Sequence, residues 1–279
     1  MSDVTVGLLH PGEMGGAVGT CLRANRHRVL WVSGGRSAAS VARATAARLE
    51  DAGTLERLVG ESAIILSVCP PHAALDTARA VAAHRFSGVF VDANAVAPGT
   101  AREIERLVGE AGARFVDGGI VGPPPVTPGS TRLYLAGKEA AGVTALFESG
   151  ALEAVDLARA PGAASALKMA YAAYTKGSSA LLVSIRALAI HEGVDEALLR
   201  EWAQSQPELP GRSDDAARRN ARKAWRFVGE MEEMAASFAE AGLPDGFSRA
   251  AAEVYRRLAP YKDTAKPPSV DDVAASLLR

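Results

Sequence analysis

The sequence predicts a doubly wound parallel α/β sheet followed by an all-helical region. Short apolar, β-branched runs alternate with helix-spaced segments from Val4 to about Leu157, as expected for strands and helices laid over both faces of one sheet. The run GLLHPGEMGG (7–16) sets a glycine-rich turn between the first strand and the first helix. Past Pro161 the strand pattern stops and helical spacing takes over.

Taken in order, VTVGLL (4–9) reads as a buried strand and AVGTCLRAN (17–25) as a helix. HRVLWVS (27–33) is a second strand that closes a β-loop-α-β unit of about thirty residues. ARATAARLE (42–50) predicts a helix, AIILSVCPP (63–71) a strand stopped by prolines, and ALDTARAVAAH (74–84) a helix. GVFVDANA (88–95), ARFVDGGIVG (113–122) and STRLYLAG (130–137) are strands, with the helix TAREIERLVGEAG between the first two. A short helix and a last strand near 154–157 complete the sheet. Residues 162–192 predict one long helix, and 195–204, 213–241 and 244–258 three more, before a proline-broken tail with one or two amphipathic turns. The expected organisation is a dinucleotide-binding domain over 1–160, a helical substrate and dimerisation domain over 161–263, and a tail over 264–279.

Composition narrows the function classes. The chain has 279 residues, 48% hydrophobic and 23% charged, with a net charge of -1. That balance leaves no basic footprint for nucleic acid and no polybasic membrane anchor. Cys21 and Cys69 lie far apart and form no CxxC pair, so neither a disulfide framework nor a zinc site is expected. That cysteine usage makes a reducing cytoplasm the expected setting, and MSDVTVGLL carries no cationic segment before an apolar one, so no signal peptide is expected. The apolar stretch 163–190 is interrupted by Lys168, Lys176 and Arg186, so a buried helix is expected there instead of a membrane span.

In a dinucleotide-binding (Rossmann) turn, the first glycine permits the tight turn, the second admits the pyrophosphate and the third lets helix and strand pack closely. Here Gly12 and Gly15 fill the second and third places, and His10 fills the first. Pro11 has no N–H to donate, but the backbone of Gly12, Glu13 and Met14 remains for a phosphate at the helix N-terminus. His10 itself reads as a turn-filling residue, not a catalytic one. An NAD-binding unit expects an acid at the end of the second strand; this chain has Ser33, followed by Gly34, Gly35, Arg36 and Ser37. Ser33 would not repel a 2′-phosphate, and Arg36 with Ser37 can hold one through charge-assisted hydrogen bonds. NADP(H) is therefore the expected cofactor.

These motifs resemble the β-hydroxyacid dehydrogenase superfamily, which includes 6-phosphogluconate and hydroxyisobutyrate dehydrogenases and, more distantly, the imine reductases. HPGEMG is similar to the opening GLGxMG, and LRANRHRV to LxxAGHxV, with Arg26 in the glycine place. SVCPPH (67–72) resembles the loop bordering the nicotinamide ribose, which implies cofactor contacts at Cys69 and Pro70. VDANAVAP (91–98) resembles DxSTxxP and places Asn94 facing nicotinamide and substrate. FVDGGIVGPPP (115–125) resembles DAPVSGG, whose backbone amides approach a substrate carboxylate; Val121, Gly122 and Pro123 stand where Ser-Gly-Gly would. GAASALKMAYAAYTKG (162–177) resembles GxGxxxKxxNN, so Lys168 matches the catalytic lysine while Tyr171 and Ala172 replace its two asparagines. In the C-terminal helices, Gly229-Glu230 replaces a Lys-Asp pair. The resemblance also implies a homodimer with interlocked helical domains that contribute to each other's clefts.

Hydride transfer to a carbonyl needs a proton donor at the forming alkoxide, and the reverse needs a base. Lys168 sits between Leu167 and Met169 in an apolar helix, where an ammonium without a purpose is costly. At 100° per residue Tyr171 projects on the same side, a candidate second polar group with a core tyrosine as the plainer reading. Lys176 reads as a partner-facing charge, and Cys69 as a small apolar filler, not a nucleophile. The expected activity is hydride transfer between nicotinamide and a small hydroxy or oxo acid, in a cleft between the domains. An imine reductase is the rival on the same scaffold. An ammonium about 4 Å from an iminium costs about 4 kcal/mol at an effective dielectric of 20, an objection that a neutral lysine would remove. A cofactor-binding sensor without turnover is the rival from another class.

Overall fold

A computed structural model of the chain describes residues 4–262 and 264–279. The signal-peptide expectation at residues 1–3, and position 263 at the end of the expected helical domain, lie outside the described residues. The chain divides into two compact units, Met1–Met169 and Ala170–Arg279.

The first unit is built on eight strands: β1 (Thr5–Leu9), β2 (Arg28–Trp31), β3 (Glu50–Asp51), β4 (Ile64–Ser67), β5 (Val89–Asp92), β6 (Arg114–Val121), β7 (Thr131–Ala136) and β8 (Leu152–Asp156). Their order across the sheet is β3-β2-β1-β4-β5-β6-β7-β8. The crossing point between β1 and β4 is the switch in strand order where such sheets bind ligands, outside the carboxyl ends. Helices α1 (Glu13–Ala24), α2 (Ala38–Ala46), α3 (Leu55–Glu61), α4 (Ala74–Ala83), α5 (Pro98–Glu110) and α6 (Ala140–Thr144) make the connections. Both faces of the sheet are covered, and neighbouring strand residues divide between two cores. Leu8, Leu66, Val91 and Val116 pack on one side, and Leu9, Ile65, Phe90 and Phe115 on the other. Alternation of side chains along buried parallel strands requires that division.

Three local expectations need correction. The sheet is not wholly parallel, because β7 runs antiparallel to β6. The link between them, 122–130, is short and proline-rich, whereas a parallel return needs a crossover of a dozen residues or more. The helix expected over 42–50 starts earlier and stops earlier. Ser37 caps α2 by accepting from the Ser40 N–H at 3.3 Å, and Arg48 turns the chain with a φ of 55° before β3. Neither β3 nor α3 was expected. A two-residue strand has no period to read, and α3 spans seven residues.

The second unit takes over a helix begun in the first, α7 (Ala163–His191), and adds α8 (Asp195–Ser205), α9 (Leu209–Ala221), α10 (Ala224–Glu240), α11 (Gly246–Leu258) and α12 (Val270–Leu277). The single helix expected over 213–241 is two. Pro210 opens α9, where a missing N–H costs nothing. The break between α9 and α10 at Arg222-Lys223 carries no Gly or Pro to mark it. Buried Arg186 ties three helices, binding both oxygens of Asp195 at 2.6 and 2.9 Å and reaching Ser213 and Asp214. Lys176 does not face outward as a free charge. Its ammonium pairs with Glu230 and lies 4.6 Å over the Phe227 ring. No helix of the described residues is long and apolar enough to cross a membrane.

Candidate active site

The sheet register assembles the site. Leu9 pairs with Ser67, Ser67 with Asp92, and Asp92 with Asp117, so β1, β4, β5 and β6 come level along the carboxyl edge. The segments that the sequence singled out at 10–14, 69–70 and 94 leave the sheet just beyond that row, while β6 runs on as far as Val121.

The glycine turn has the conformation expected of a dinucleotide loop although its first residue is histidine. His10 holds a φ of 69°, a left-handed conformation that glycine adopts without strain. Arg26, at the other place where the resemblance expects glycine, holds 66°. A Cβ on Gly15 would lie 2.4 Å from the His10 carbonyl oxygen, so this glycine is needed for α1 to meet the end of β1. A Cβ on Gly12 would meet nothing within 4 Å. The N-cap residue of α1, Gly12, has no side chain with which to cap it, and the positive end of the helix lies at the loop, as a phosphate cradle requires. Pro11 is buried, Gly12 and Met14 half-buried, and Glu13 exposed.

Beyond β2, Ser33 is not free for a ligand. Its N–H donates to Asp51 Oδ1 at 3.2 Å, and Gly53 donates to the same oxygen at 2.9 Å. The Ser33 hydroxyl heads the contacts that lower the Asp51 carboxyl below its ordinary range. Asp51, which sequence reasoning missed, thus anchors the turn that carries Arg36 and Ser37. The Arg36 guanidinium makes no hydrogen bond or ion pair among the described residues, and its charge is felt at both His10 and Cys69. Ser37 is engaged as the α2 cap.

Asn94 is buried and fully committed. It accepts from the Cys69 N–H at 2.5 Å, and its amide donates to Ser67 at 3.1 Å and to Asp92 at 2.5 Å. It braces the turn after β4 against the end of β5. Burial pushes the Cys69 thiol up to about 11, so it is protonated at neutral pH and not a nucleophile. Pro70 is exposed at the rim.

Lys168 is placed by residues that carried no local signal. Asp117, wholly buried midway along β6, accepts from the N–H groups of Gly162 and Ala164 at 2.8 Å and Ser165 at 3.1 Å, and from the Ser165 hydroxyl at 2.6 Å. Its carboxyl is raised above the ordinary range by burial, with Ser165 and the backbone donors pulling the other way. This acid caps the first turn of α7. Gly119 brings the helix close, since a Cβ there would lie 2.6 Å from the Ala164 carbonyl oxygen and 3.1 Å from the Lys168 Cβ. The Lys168 ammonium has no hydrogen bond or ion pair among the described residues, and desolvation lowers it from 10.5 to about 8. β6 stays paired through Val121, opposite Arg132. Gly122 then leaves the ladder with a φ of 122°. Tyr171, three residues beyond Lys168 in α7, is 49% exposed.

Comparison with known proteins identifies the family and the fold. The family described as the NAD binding domain of 6-phosphogluconate dehydrogenase matches residues 5–146, just over half of the chain. The chain belongs to that family. Residues 189–258 match a domain of unknown function, DUF1932. A 28.5 kDa protein from the 7S RNA 5′ region of Methanothermus fervidus, described as uncharacterized, is 32% identical over 142 residues, covering 51% of this chain and 54% of its own length. The chain thus aligns with about half of that relative. The structure of Mycobacterium tuberculosis 3-hydroxyisobutyrate dehydrogenase with L-serine superposes with a TM-score of 0.74 at 17% identity, over 100% of both chains. A reductive aminase from Aspergillus terreus in complex with NADPH and ethyl levulinate gives 0.57 at 18% identity, over 99% of both. Family and fold together give this chain a 6-phosphogluconate-dehydrogenase-type NAD-binding domain within a fold shared with these solved structures.

Proposed function

We propose that the protein is an NADP(H)-dependent oxidoreductase acting between a small hydroxy acid and its oxo counterpart, with Lys168 as proton donor and acceptor. The observation that carries this reading is the Lys168 ammonium: unpaired, desolvated to about 8, and fixed to the carboxyl edge of an NAD-binding sheet by Asp117 and Gly119. A pKa close to working pH suits a group that must both give and take a proton. The cofactor supplies or accepts the hydride. The chain's part is to hold its phosphates at the uncapped end of α1, over Gly12, Glu13 and Met14, and to keep a proton at Nζ beside the substrate oxygen. Gly122, at the end of β6, and Tyr171 are the proposed substrate-facing groups. Val121 and Asn94 act by shaping the strand end and the turn after β4. The test is NADPH oxidation against a panel of oxo acids and cyclic imines, with hydroxy acids in reverse. Turnover of any of them dismisses a sensor role.

A second reading, imine reduction, draws on the same lysine. At pH 7 a group with a pKa of about 8 is neutral about a tenth of the time, which eases the repulsion that an iminium would meet. Preference for imines over oxo acids in the panel would select it.

Arg36 carries the cofactor choice. With the Ser33 hydroxyl turned to Asp51, Arg36 is the cation left for a 2′-phosphate. We expect NADPH to bind at least about tenfold more tightly than NADH, about 1.4 kcal/mol. Arg36→Ala should remove most of that gap while sparing NADH. Equal affinities in the parent chain, by titration, would end the NADP(H) reading.

A homodimer is the proposed assembly. Tyr171, Tyr174, Ser178, Leu181, Ile185 and Leu188 follow one another at spacings of 3, 4, 3, 4 and 3 along α7, the seam of a helix that packs on a like helix. Tyr174, Leu181 and Leu188 are 66%, 61% and 60% exposed, more apolar surface than one helix ordinarily leaves in water. Light scattering at micromolar concentration should give twice the chain mass, and a monomer there contradicts the assignment.

A further inference from the structure

His10 carries two unfavourable features at once, and its charge state is fixed. It holds a left-handed φ of 69°, in which a side chain is strained and glycine is not. Its ring nitrogen Nδ1 is buried without a hydrogen-bond partner among the described residues. Burial, and then the Arg36 charge, lower the imidazole to about 4, so it is neutral at working pH. The loop has no room to relax, because Gly12 donates to the His10 carbonyl at 2.7 Å and α1 packs against that carbonyl at Gly15. A residue kept only to fill a turn would lose both the backbone strain and the unmet nitrogen on replacement by glycine. Strain and unmet polar groups that the surroundings hold in place concentrate at binding sites.

The surroundings identify the ligand chemistry. His10 follows directly on β1 within reach of the Arg36 charge, and with Nδ1 shut in Nε2 is the ring nitrogen that remains for a ligand. We propose that His10 is a cofactor-contacting residue whose Nε2–H donates to a phosphoryl oxygen of the dinucleotide that Arg36 also faces. The oxygen belongs either to the adenosine 2′-phosphate or to the bridging diphosphate. This deepens the cofactor assignment made above and rests on it.

The experiment titrates NADPH and NADH into the full chain and its His10→Gly and His10→Asp variants, with thermal unfolding measured in parallel. His10→Gly should unfold at the parent temperature or higher, because backbone strain is relieved, yet bind NADPH at least about fivefold more weakly. Loss confined to NADPH assigns the contact to the 2′-phosphate; equal loss for NADH assigns it to the diphosphate. His10→Asp, whose side chain also tolerates this φ, places a carboxylate where the donor stood and should weaken binding at least as much. NADPH and NADH binding within twofold of the parent in either variant overturns the proposal. Arg36→Ala measured alongside keeps the two claims apart. A parent chain without NADPH preference rejects the NADP(H) reading, while the His10 contact still stands or falls on its own affinity changes.

Discussion

Lys168→Met should lower kcat by about 10²–10⁴-fold while leaving NADPH affinity nearly unchanged. Methionine keeps the length and apolar stem of the side chain but holds no proton. The phosphate cradle at α1 and the Arg36 turn belong to other segments. The same substitution should stabilise the fold. In the unfolded chain Lys168 titrates near 10.5, and in the fold at about 8. Below pH 8 both states keep the proton, and the fold bears the whole cost of the desolvated ammonium, at most about 3 kcal/mol. Between pH 8 and 10.5 only the unfolded chain keeps it, so the lysine's penalty fades as pH rises. The variant should therefore melt several degrees above the parent at pH 7, and the gap should close towards pH 10. Comparing the two proteins at each pH removes the contributions of other groups, Cys69 among them. A variant that turns over within threefold of the parent would move the proton donor elsewhere, with Tyr171 next to be tested.

Asp117→Ala should be the most damaging single change to the framework of the site. It would leave three backbone N–H groups at the start of α7 and the Ser165 hydroxyl without their acceptor. Each buried donor left unmet costs about 1–3 kcal/mol, and loss of a helix cap alone costs about 1 kcal/mol. We expect a total of about 3–5 kcal/mol, or roughly 10 °C in Tm for a unit of this size. Because Lys168 sits on the second turn of the same helix, kcat should fall in the folded fraction as well. Asp117→Asn retains one acceptor oxygen and should recover most of the stability. A melting temperature for Asp117→Ala within 2 °C of the parent, by calorimetry, would show that the α7 terminus is held by something other than this carboxylate.

The parts of the protein legible in the sequence are those whose cause is local. VTVGLL, AIILSVCPP and GVFVDANA are buried strands because a sheet covered on both faces needs continuous apolar runs. The loop 10–15 could be recognised from Gly12 and Gly15, and the close packing of α1 on the His10 carbonyl requires the second of them. Lys168 stood out as a charge within an apolar helix. The alternation of such apolar runs with helical segments gave the fold class, which the sheet order bears out.

Tertiary structure decided what depends on partners far along the chain. Asp117 lies 48 residues from Ser165, whose hydroxyl it accepts. Asp51 lies 18 from Ser33, and Asn94 lies 25 from the Cys69 N–H. A buried carboxylate or amide has no periodicity; what makes it an anchor is the orphaned donor that the fold brings to it. Hence Ser33 looked available to a phosphate until β3 placed Asp51 beside it, and Lys176 read as a partner-facing charge until α10 brought Glu230. Periodicity and turn chemistry act over a few residues and can be read from the chain. The pairing of buried polar groups acts across the fold, and only packing reveals it.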